Sequence, residues 1–544
     1  MYDNFSKVGR QHGPTYSATS KWRADMLSYS LHLPLDRVNV LGDHSSGHTG
    51  CVNALSWARN GEILLSGGDD TTVRLWKIDP FDQSKEYPFV CDAVIRTGHR
   101  NNIFNAQLLP HSARLATVAR DGQVRIADIG DCFQQVGSGR EAVYTTRQTN
   151  LRVLRCHKDA VKRIITEESP DLFLTVSEDG TVRQHDLRVH HTCGSNGTCP
   201  TPLVQMPHEL STLALSPLTP YQLVVAGDSA YGYLFDRRQS RRHMRADWGM
   251  SPDNEGLTTC VRRFGREPRS FNPRRATTHI TGARMAESNG HEVYPYSSDA
   301  IYLYSTRDDP TEPAERNSAR LPSSSRSSDG RAVPSNAAGS SISDDLMEAD
   351  IERFLGSDID GESEPQEPEE WFELDGERSE VEDDDDESEY ALHETVDEHL
   401  PRVPVVHPRA RYAGACNVDT VKDVNFLGPR DEFVVSGSDD GYWFMWDKKT
   451  QKLHDILEGD GSVVNVIEGH PSLPLVAVSG IDYSVKLFAP AHGPQQFSRM
   501  SNAGPIVERN TRASETAGLT SLAMYRLLAR AVVSGENAEG CEHQ

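Results

Sequence analysis

The sequence lacks any apolar run that approaches the ~18 residues needed to span a bilayer. Only 37% of its 544 residues are hydrophobic, below the ~45–50% typical of compact domains, so part of the chain is expected not to fold. The first thirty residues are polar and lack the apolar core of a signal peptide. Nine cysteines form no regular framework, which favours a reducing compartment. These absences predict a soluble protein of the nucleus or the cytoplasm.

The net charge of −24 has one source. Residues 344–399 hold 26 acidic and two basic side chains, and the preceding stretch, 308–343, is rich in Ser, Pro, Arg and Ala. Neither part has enough β-branched or aromatic residues to offset chain entropy by burial. We therefore expect residues 308–405 to be a disordered insert in an otherwise nearly neutral protein.

Outside this insert the chain repeats one unit. Its clearest copy, GHTGCVNALSWARNGEILLSGGDDTTVRLW at 47–76, has alternating apolar segments separated by Asn-Gly and Asp-rich turns. Such alternation predicts antiparallel strands, and the unit resembles a WD repeat, which forms one four-stranded blade of a β-propeller. A turn aspartate followed by an apolar strand occurs at seven places: Asp70, Asp121, Asp179, Asp228, Asp299, Asp440 and Asp482.

These seven marks predict an all-β, seven-bladed WD40 propeller. Residues 34–307 would hold blades one to five and the outer strand of blade seven, which we assign to 35–41. Blades six and seven would occupy 406–490, so that the insert of 308–405 separates blades five and six. Residues 1–33 and 491–544 are predicted to be tails with short helices.

Blade one carries four polar residues at the positions of the structural tetrad of a WD repeat: His48, Ser66, Asp70 and Trp76. An imidazole, a hydroxyl, a carboxylate and an indole can satisfy one another in a buried chain of hydrogen bonds. Five other blades replace the tryptophan, with Ala127, His185, Phe235, Tyr304 and Phe488.

Histidines and cysteines provide no strong metal signature. Three histidines begin blades and are expected to bond within them: His48, His99 and His157. Four further candidates share one Gly/Ser/Asn-rich loop: His190, His191, Cys193 and Cys199. They lack the tightly paired spacing of a zinc site, so an ordinary loop is favoured. Because no catalytic motif occurs either, the sequence predicts no enzyme activity, cofactor or metal.

Charged segments leave alternatives open. The basic string at 237–245 has no interleaved aromatic residues for base stacking, so we interpret it as a solvated loop rather than a nucleic-acid signal. The acidic insert is interpreted as a solvated spacer or, alternatively, as a binder of histones or other basic proteins. Two apolar islands in it could fold on a partner. They comprise Met347, Ile351, Phe354 and Leu355 on one helical face, and Trp371 with Phe372.

Two consecutive blades end their third strand in Asp-x-Arg, with Asp186 and Arg188 in blade three and Asp236 and Arg238 in blade four. At matching positions the two arginines should project from one face, and a guanidinium suits planar, multi-donor contacts at interfaces. With these boxes, SEDGTVRQHDLR, TVKDVNFLGPRDEFVVSGSDDGYWFMWD and HPSLPLVAVSGIDYSVKLFAP resemble the WD-repeat substrate receptors of cullin-four RING ubiquitin ligases, the DCAF family. The sixth and eighth members are the most similar, and the fifth is also similar.

The resemblance covers about 40–310 and 405–490, with a related helix at about 515–534. It implies that Asp186, Arg188, Asp236 and Arg238 dock on the damaged-DNA-binding adaptor of the ligase, although His185 and Phe235 replace the usual tryptophan of the box. The chain would present a client of unknown identity without catalysis of its own. The rival function is a ligase-independent scaffold, or a histone-binding propeller that uses the acidic insert.

The family often has a helix before the propeller that also contacts the adaptor. Residues 21–32 resemble such a helix, because Trp22, Met26 and Tyr29 follow the i, i+4, i+7 spacing of one helical face. Ordinary packing of this face against the propeller is the alternative.

Overall fold

Short apolar strands separated by turns organise the described part of the chain into seven sheets. A computed structural model describes residues 15–43, 46–133, 141–149, 151–190, 193, 199–216, 218–240, 258–266, 279–297, 299–309, 400, 403–491 and 493–514. The described chain begins with helix α1 (Thr15–Leu31) and strand β1 (Leu35–Leu41). Strand β1 belongs to the last sheet, whereas the first three strands of every sheet follow one another in the chain.

Three sheets precede residue 206. Sheet 1 contains β2 (Val52–Ala58), β3 (Ile63–Gly68), β4 (Thr72–Ile78), β5 (Phe89–Arg96) and β9 (Ala142–Tyr144). Sheet 2 contains β6 (Ile103–Leu108), β7 (Arg114–Ala119), β8 (Val124–Asp128) and β10 (Arg152–Leu154). Sheet 3 contains β11 (Val161–Thr166), β12 (Leu172–Ser177), β13 (Thr181–Asp186) and β14 (Val204–Gln205). Strand β9 runs parallel to β5 and adds a fifth strand outside it.

Four sheets complete the set. Sheet 4 contains β15 (Leu210–Leu215), β16 (Gln222–Gly227), β17 (Gly232–Ser240), β18 (Thr258–Phe264) and β22 (Val405–Val406). Sheet 5 contains β19 (Ile280–Met285), β20 (Glu292–Ser297), β21 (Ala300–Ser305) and β23 (Ala410–Tyr412). Sheet 6 contains β24 (Val424–Leu427), β25 (Phe433–Gly437), β26 (Tyr442–Asp447) and β27 (Leu453–Glu458). Sheet 7 contains β28 (Val464–Gly469), β29 (Val476–Gly480), β30 (Val485–Pro490) and β1.

The sheets pack face to face around a closed circle. The first strand of each sheet packs against the first strand of the next, and β28 of sheet 7 packs against β2 of sheet 1. A second strand is therefore covered on both faces, which explains why every residue of β3 and β25 is buried. Strands covered on both faces are apolar in nearly continuous runs rather than in strict alternation.

Glycines at the ends of second strands allow close contact with the adjoining first strand. A Cβ on Gly480 would lie 1.7 Å from the carbonyl oxygen of Val463, and one on Gly227 would lie 2.0 Å from that of Glu209. A side chain cannot be accommodated at such distances, so glycine precedes the turn in these two sheets for steric reasons.

Strand β1 closes the circle. It pairs antiparallel with β30, from Leu35 opposite Pro490 to Leu41 opposite Val485, which confirms the assignment of 35–41 as the outer strand of the last sheet. Leu35 is only 2% exposed and joins the core between sheets 6 and 7. The closed arrangement removes the open edge that β30 would otherwise present.

The predicted position of the insert between blades five and six was wrong. Strand β23 follows the insert, yet it pairs with β21 and completes sheet 5, so the insert interrupts that sheet before its outer strand. Strand β22 also follows most of the insert and pairs with β18 of sheet 4. Sequence reasoning missed both strands because it counted blades from their third strands. In addition, β22 and β23 have only two and three residues.

Two α-helices flank the sheets in the residues that the structure describes. Helix α1 contacts sheets 6 and 7 through Leu27 and Leu31, whereas Trp22 and Tyr29 are 51% and 63% exposed. A second helix, α2, spans 503–514 and places Ile506 in the core of sheet 6. The helix expected at 515–534 lies outside the described residues. Neither helix is long and apolar enough, in its described part, to cross a membrane.

Candidate protein-interaction site

The four tetrad residues of sheet 1 converge in a buried chain of hydrogen bonds. His48 Nδ1 lies 3.0 Å from Asp70 Oδ1, and His48 Nε2 lies 2.8 Å from Ser66 Oγ. Trp76 Nε1 donates to the same hydroxyl oxygen at 2.8 Å. Burial opposes ionisation of Asp70, but the hydrogen bonds from His48 and Thr72 outweigh it and lower the pKa of Asp70 to about 2. The chain therefore links the turn before β4 to the core of the sheet.

Sheet 3 forms the same chain with a histidine in place of the tryptophan. His157 lies 3.1 Å from Asp179 and 2.8 Å from Thr175 Oγ1, and His185 Nε2 lies 2.8 Å from the same hydroxyl. His185 thus takes the position of the indole. Sheet 2 retains a shorter chain of His99, Thr117 and Asp121.

The two Asp-x-Arg boxes share one geometry. In the first, Arg188 donates from Nε and Nη2 to the two carboxylate oxygens of Asp186 at 2.9 and 2.8 Å. In the second, Arg238 donates from the same two nitrogens to Asp236 at 3.0 and 2.6 Å. Each backbone N–H of the arginine also donates to its aspartate, at 3.0 Å in both boxes. Sequence reasoning identified these four residues, and the structure shows how each pair is organised.

Both arginines remain accessible despite these bonds. The side chains of Arg188 and Arg238 are 63% and 62% exposed. Hydrogen bonds from Arg188 lower the pKa of Asp186 to about 2, and those from Arg238 outweigh burial and lower the pKa of Asp236. Each aspartate is therefore ionised at neutral pH. Each carboxylate binds the Nε and Nη2 atoms of its arginine, so that the Nη1 edge of the guanidinium points away from the box.

A third arginine links the two boxes. Arg237, the middle residue of the second box, donates to Gln184 of sheet 3 at 2.8 Å and pairs with Glu167 at 3.0 Å. Arg238 itself lies with its guanidinium carbon 3.6 Å from the ring centroid of Tyr221, a cation–π contact that limits its rotation. Contacts between sheets 3 and 4 therefore fix the spacing of the two exposed guanidinium groups.

Both boxes lie at the edge where first strands end and second strands begin. Asp186 pairs with Leu172 at the start of β12, and Asp236 pairs with Gln222 at the start of β16. A cavity of about 1050 Å³ opens at this edge, and its lining includes Leu27 and Leu31 of α1. The arginines, the cavity and α1 therefore occupy one face, opposite the turns that carry the tetrad aspartates.

The exposed side of α1 extends this face. Asp25 forms an ion pair with Arg430, at the β24–β25 connection, and Met26 is half-buried beside the exposed Trp22 and Tyr29. Of the face predicted from spacing, two aromatic side chains are thus solvent-facing, while Leu27 and Leu31 provide the packing contacts.

Four charged groups meet beside the cavity, and three of them, Arg163, Arg284 and Glu468, line it. Asp423 accepts hydrogen bonds from Arg163 at 2.8 Å and Arg284 at 3.4 Å, and Arg284 also pairs with Glu468 at 2.5 Å. Burial raises the pKa of Asp423, but the two guanidinium groups outweigh it and lower that pKa. These ion pairs join sheets 3, 5, 6 and 7. Sequence reasoning missed it, since its members come from four different repeats.

The remaining sequence candidates divide into two groups. The two apolar islands of the insert (Met347, Ile351, Phe354, Leu355, Trp371 and Phe372) and His191 lie outside the described residues. Cys193 and Cys199 are described, and the structure brings both to Cys156, with the three Sγ atoms within 4.8 Å of one another. His190 is exposed.

The family model described as "WD domain, G-beta repeat" matches residues 39–77, 148–186 and 413–447. With the ring of sheets, this match shows that the fold is an all-β WD40 β-propeller. The "WD repeat protein iqw1" of Schizosaccharomyces pombe is 33% identical over 48% of this chain, which covers about a third (32%) of that protein. The human "DDB1- and CUL4-associated factor 6" is 29% identical over 48% of this chain and 27% of its own length. The human "WD and tetratricopeptide repeats protein 1" is 24% identical over 90% of this chain and 89% of its own.

Proposed function

We propose that this chain is a non-catalytic substrate receptor that docks on the damaged-DNA-binding adaptor of a cullin-four RING ubiquitin ligase. The observation that carries the proposal is the matched pair of exposed, aspartate-held guanidinium groups on adjacent sheets. The name of one relative, "DDB1- and CUL4-associated factor 6", supports the same role. We also propose that the chain is similar to the sixth and eighth members of that family, and to the fifth, and that it acts in the nucleus or the cytoplasm.

Docking would use side chains that are already in place. A free arginine loses rotamer entropy when it binds, whereas Arg188 and Arg238 have lost much of theirs to their own aspartates. Their Nη1 edges are available to carbonyl or carboxylate oxygens of the adaptor, and Trp22 and Tyr29 of α1 add aromatic area on the same face.

The client would bind at the opposite edge or on the insert. Other subunits perform ubiquitin transfer, and the receptor contributes by holding client and ligase together, which raises their effective concentration. We also propose that each of the seven sheets is one blade, so that the two boxes belong to the third and fourth blades of a seven-bladed ring. The packing of sheet 7 on sheet 1 supports this count.

The docking arginines can be tested by changing Arg188→Ala and Arg238→Ala together and measuring the dissociation constant for the purified adaptor. Interface arginines of this kind contribute about 2 kcal/mol each, so the double variant should bind roughly 1000-fold more weakly. The matched control is the double variant Arg509→Ala and Arg512→Ala, which removes the same charge from exposed positions on α2. Undiminished adaptor binding by the folded Arg188/Arg238 variant would contradict the proposal.

A second candidate function rests on the acidic insert. Its 26 acidic residues favour histones or other basic proteins as ligands of a ligase-independent scaffold. Deleting residues 344–399 separates the two functions. If the insert binds basic proteins, the deletion variant should lose histone binding, whereas binding of the adaptor through the boxes should be unchanged. Binding assays with purified histones and purified adaptor measure both outcomes on one variant.

A further inference from the structure

Three cysteines converge where sheets 2 and 3 meet. Cys156 is buried just after β10, and Cys193 and Cys199 are half-buried on the connection between β13 and β14. The Sγ atoms of Cys156 and Cys193 are 3.5 Å apart, and all three Sγ atoms lie within 4.8 Å of one another. All three residues contribute to the apolar cluster that contains Phe173. Residues 37 and 43 positions apart are therefore brought to one point by the fold.

The sulfur spacing fits a common metal ligand set. Two thiolates on a tetrahedral zinc ion, with Zn–S bonds of ~2.3 Å, are separated by about 3.8 Å. The observed separations of 3.5 Å and up to 4.8 Å bracket this value, so small side-chain movements suffice to place three sulfurs around one ion.

The chemistry of the cluster also favours a cation. Thiols offer one another only weak hydrogen bonds. A divalent ion instead binds the sulfurs as thiolates and releases their protons to solvent.

We propose that Cys156, Cys193 and Cys199 bind one zinc ion as three thiolates. Three soft sulfur ligands select zinc over magnesium or calcium, which prefer oxygen. The fourth position of the tetrahedron is open to water or to an imidazole such as that of His190, three residues before Cys193. The ion joins the strand end that precedes His157 to the connection that follows Arg188, so it links two sheets that share no strand.

Zinc content of the full-length protein tests this site. The protein is purified under reducing conditions, incubated with zinc chloride, desalted and analysed by mass spectrometry of its metals; about one zinc per chain is expected. Cys193→Ser and Cys199→Ser, both on a surface connection, should each weaken zinc binding by at least about 100-fold, because losing a ligand exceeds the effect of losing an outer hydrogen bond. Cys51→Ser, at a half-buried cysteine of sheet 1, is the matched control and should retain the ion.

Cobalt provides a second measurement. Co²⁺ added in place of zinc should produce the near-ultraviolet thiolate-to-metal absorption and the visible bands of a tetrahedral site, and both should disappear in Cys193→Ser. Two results would overturn the proposal: no zinc above the content of Cys193→Ser, or a Cys156–Cys193 disulfide found by peptide mapping of the reduced preparation. Adaptor binding does not enter these measurements, so they stand apart from the proposed docking.

Discussion

Replacing Asp423 with asparagine should destabilise the propeller more than any surface charge change. Asp423 is buried between Arg163 and Arg284, and asparagine keeps the oxygen that accepts the backbone N–H of Val424 while it removes the negative charge. Breaking a buried ion pair by removing one partner costs ~3–5 kcal/mol, because the other charge stays buried. Arg284 retains Glu468 at 2.5 Å, so we expect about 3 kcal/mol, the lower end of that range.

The effect should depend on pH in a defined direction. The pKa of Asp423 is lower in the folded protein than in the unfolded chain, so its ionised form stabilises the fold above the unfolded value of ~3.9. This stabilisation is lost as the pH falls through the lower, folded value. The difference between wild type and Asp423→Asn should therefore be constant near neutral pH and shrink in acid.

Denaturation by urea, followed by tryptophan fluorescence at several pH values, measures both effects. The control is Glu508→Gln, which removes an acidic partner of Arg512 on the exposed side of α2 and should cost less than ~1 kcal/mol. If Asp423→Asn unfolds within ~1 kcal/mol of wild type at pH 7, or if the two proteins differ equally at pH 7 and in acid, the buried ion cluster does not hold the four sheets together.

Two further substitutions test the closure of the ring and the tetrad. Leu35→Ala removes a buried side chain from β1 and should lower the free energy of unfolding by ~2–5 kcal/mol, with faster proteolysis of the N-terminal segment, whereas Val40→Ala, on the exposed side of the same strand, should change it little. Trp76→Phe removes the indole donor to Ser66 and should cost ~1–3 kcal/mol in thermal or urea unfolding. The control is Trp22→Phe, at an exposed position, and equal stability of the two tryptophan variants would contradict the structural role of the tetrad.

The elements predictable from sequence are those set by neighbouring residues. Three features each lie within one repeat, so the spacing of their residues in the sequence predicts them. They are the Asp turn before β4, the hydrogen-bond chain of His48 and the Asp-x-Arg boxes. The pairing of β1 with β30 was also predictable, because the chain after Phe488 runs into Pro490 and a propeller needs an outer strand.

Features assembled from distant repeats were not predictable. Cys156 meets Cys193 only because β10 and the β13–β14 connection lie side by side, and Asp423 meets Arg163 although 260 positions separate them in the chain. The packing side of α1 was also missed, because helical spacing reveals an apolar face but not whether sheets or solvent cover it. Two- and three-residue outer strands such as β22 and β23 have no periodicity of their own.

The pairing of β1 with β30 has a consequence for synthesis. Leu41 leaves the ribosome long before its partner Val485, and at ~5–20 residues per second the interval is roughly 20–90 s. During that time β1 has unpaired N–H and C=O groups, which can bind other strands. An unpaired strand is therefore exposed on the nascent chain throughout this interval, and the step that closes the ring joins segments of very high sequence separation, which makes it slow.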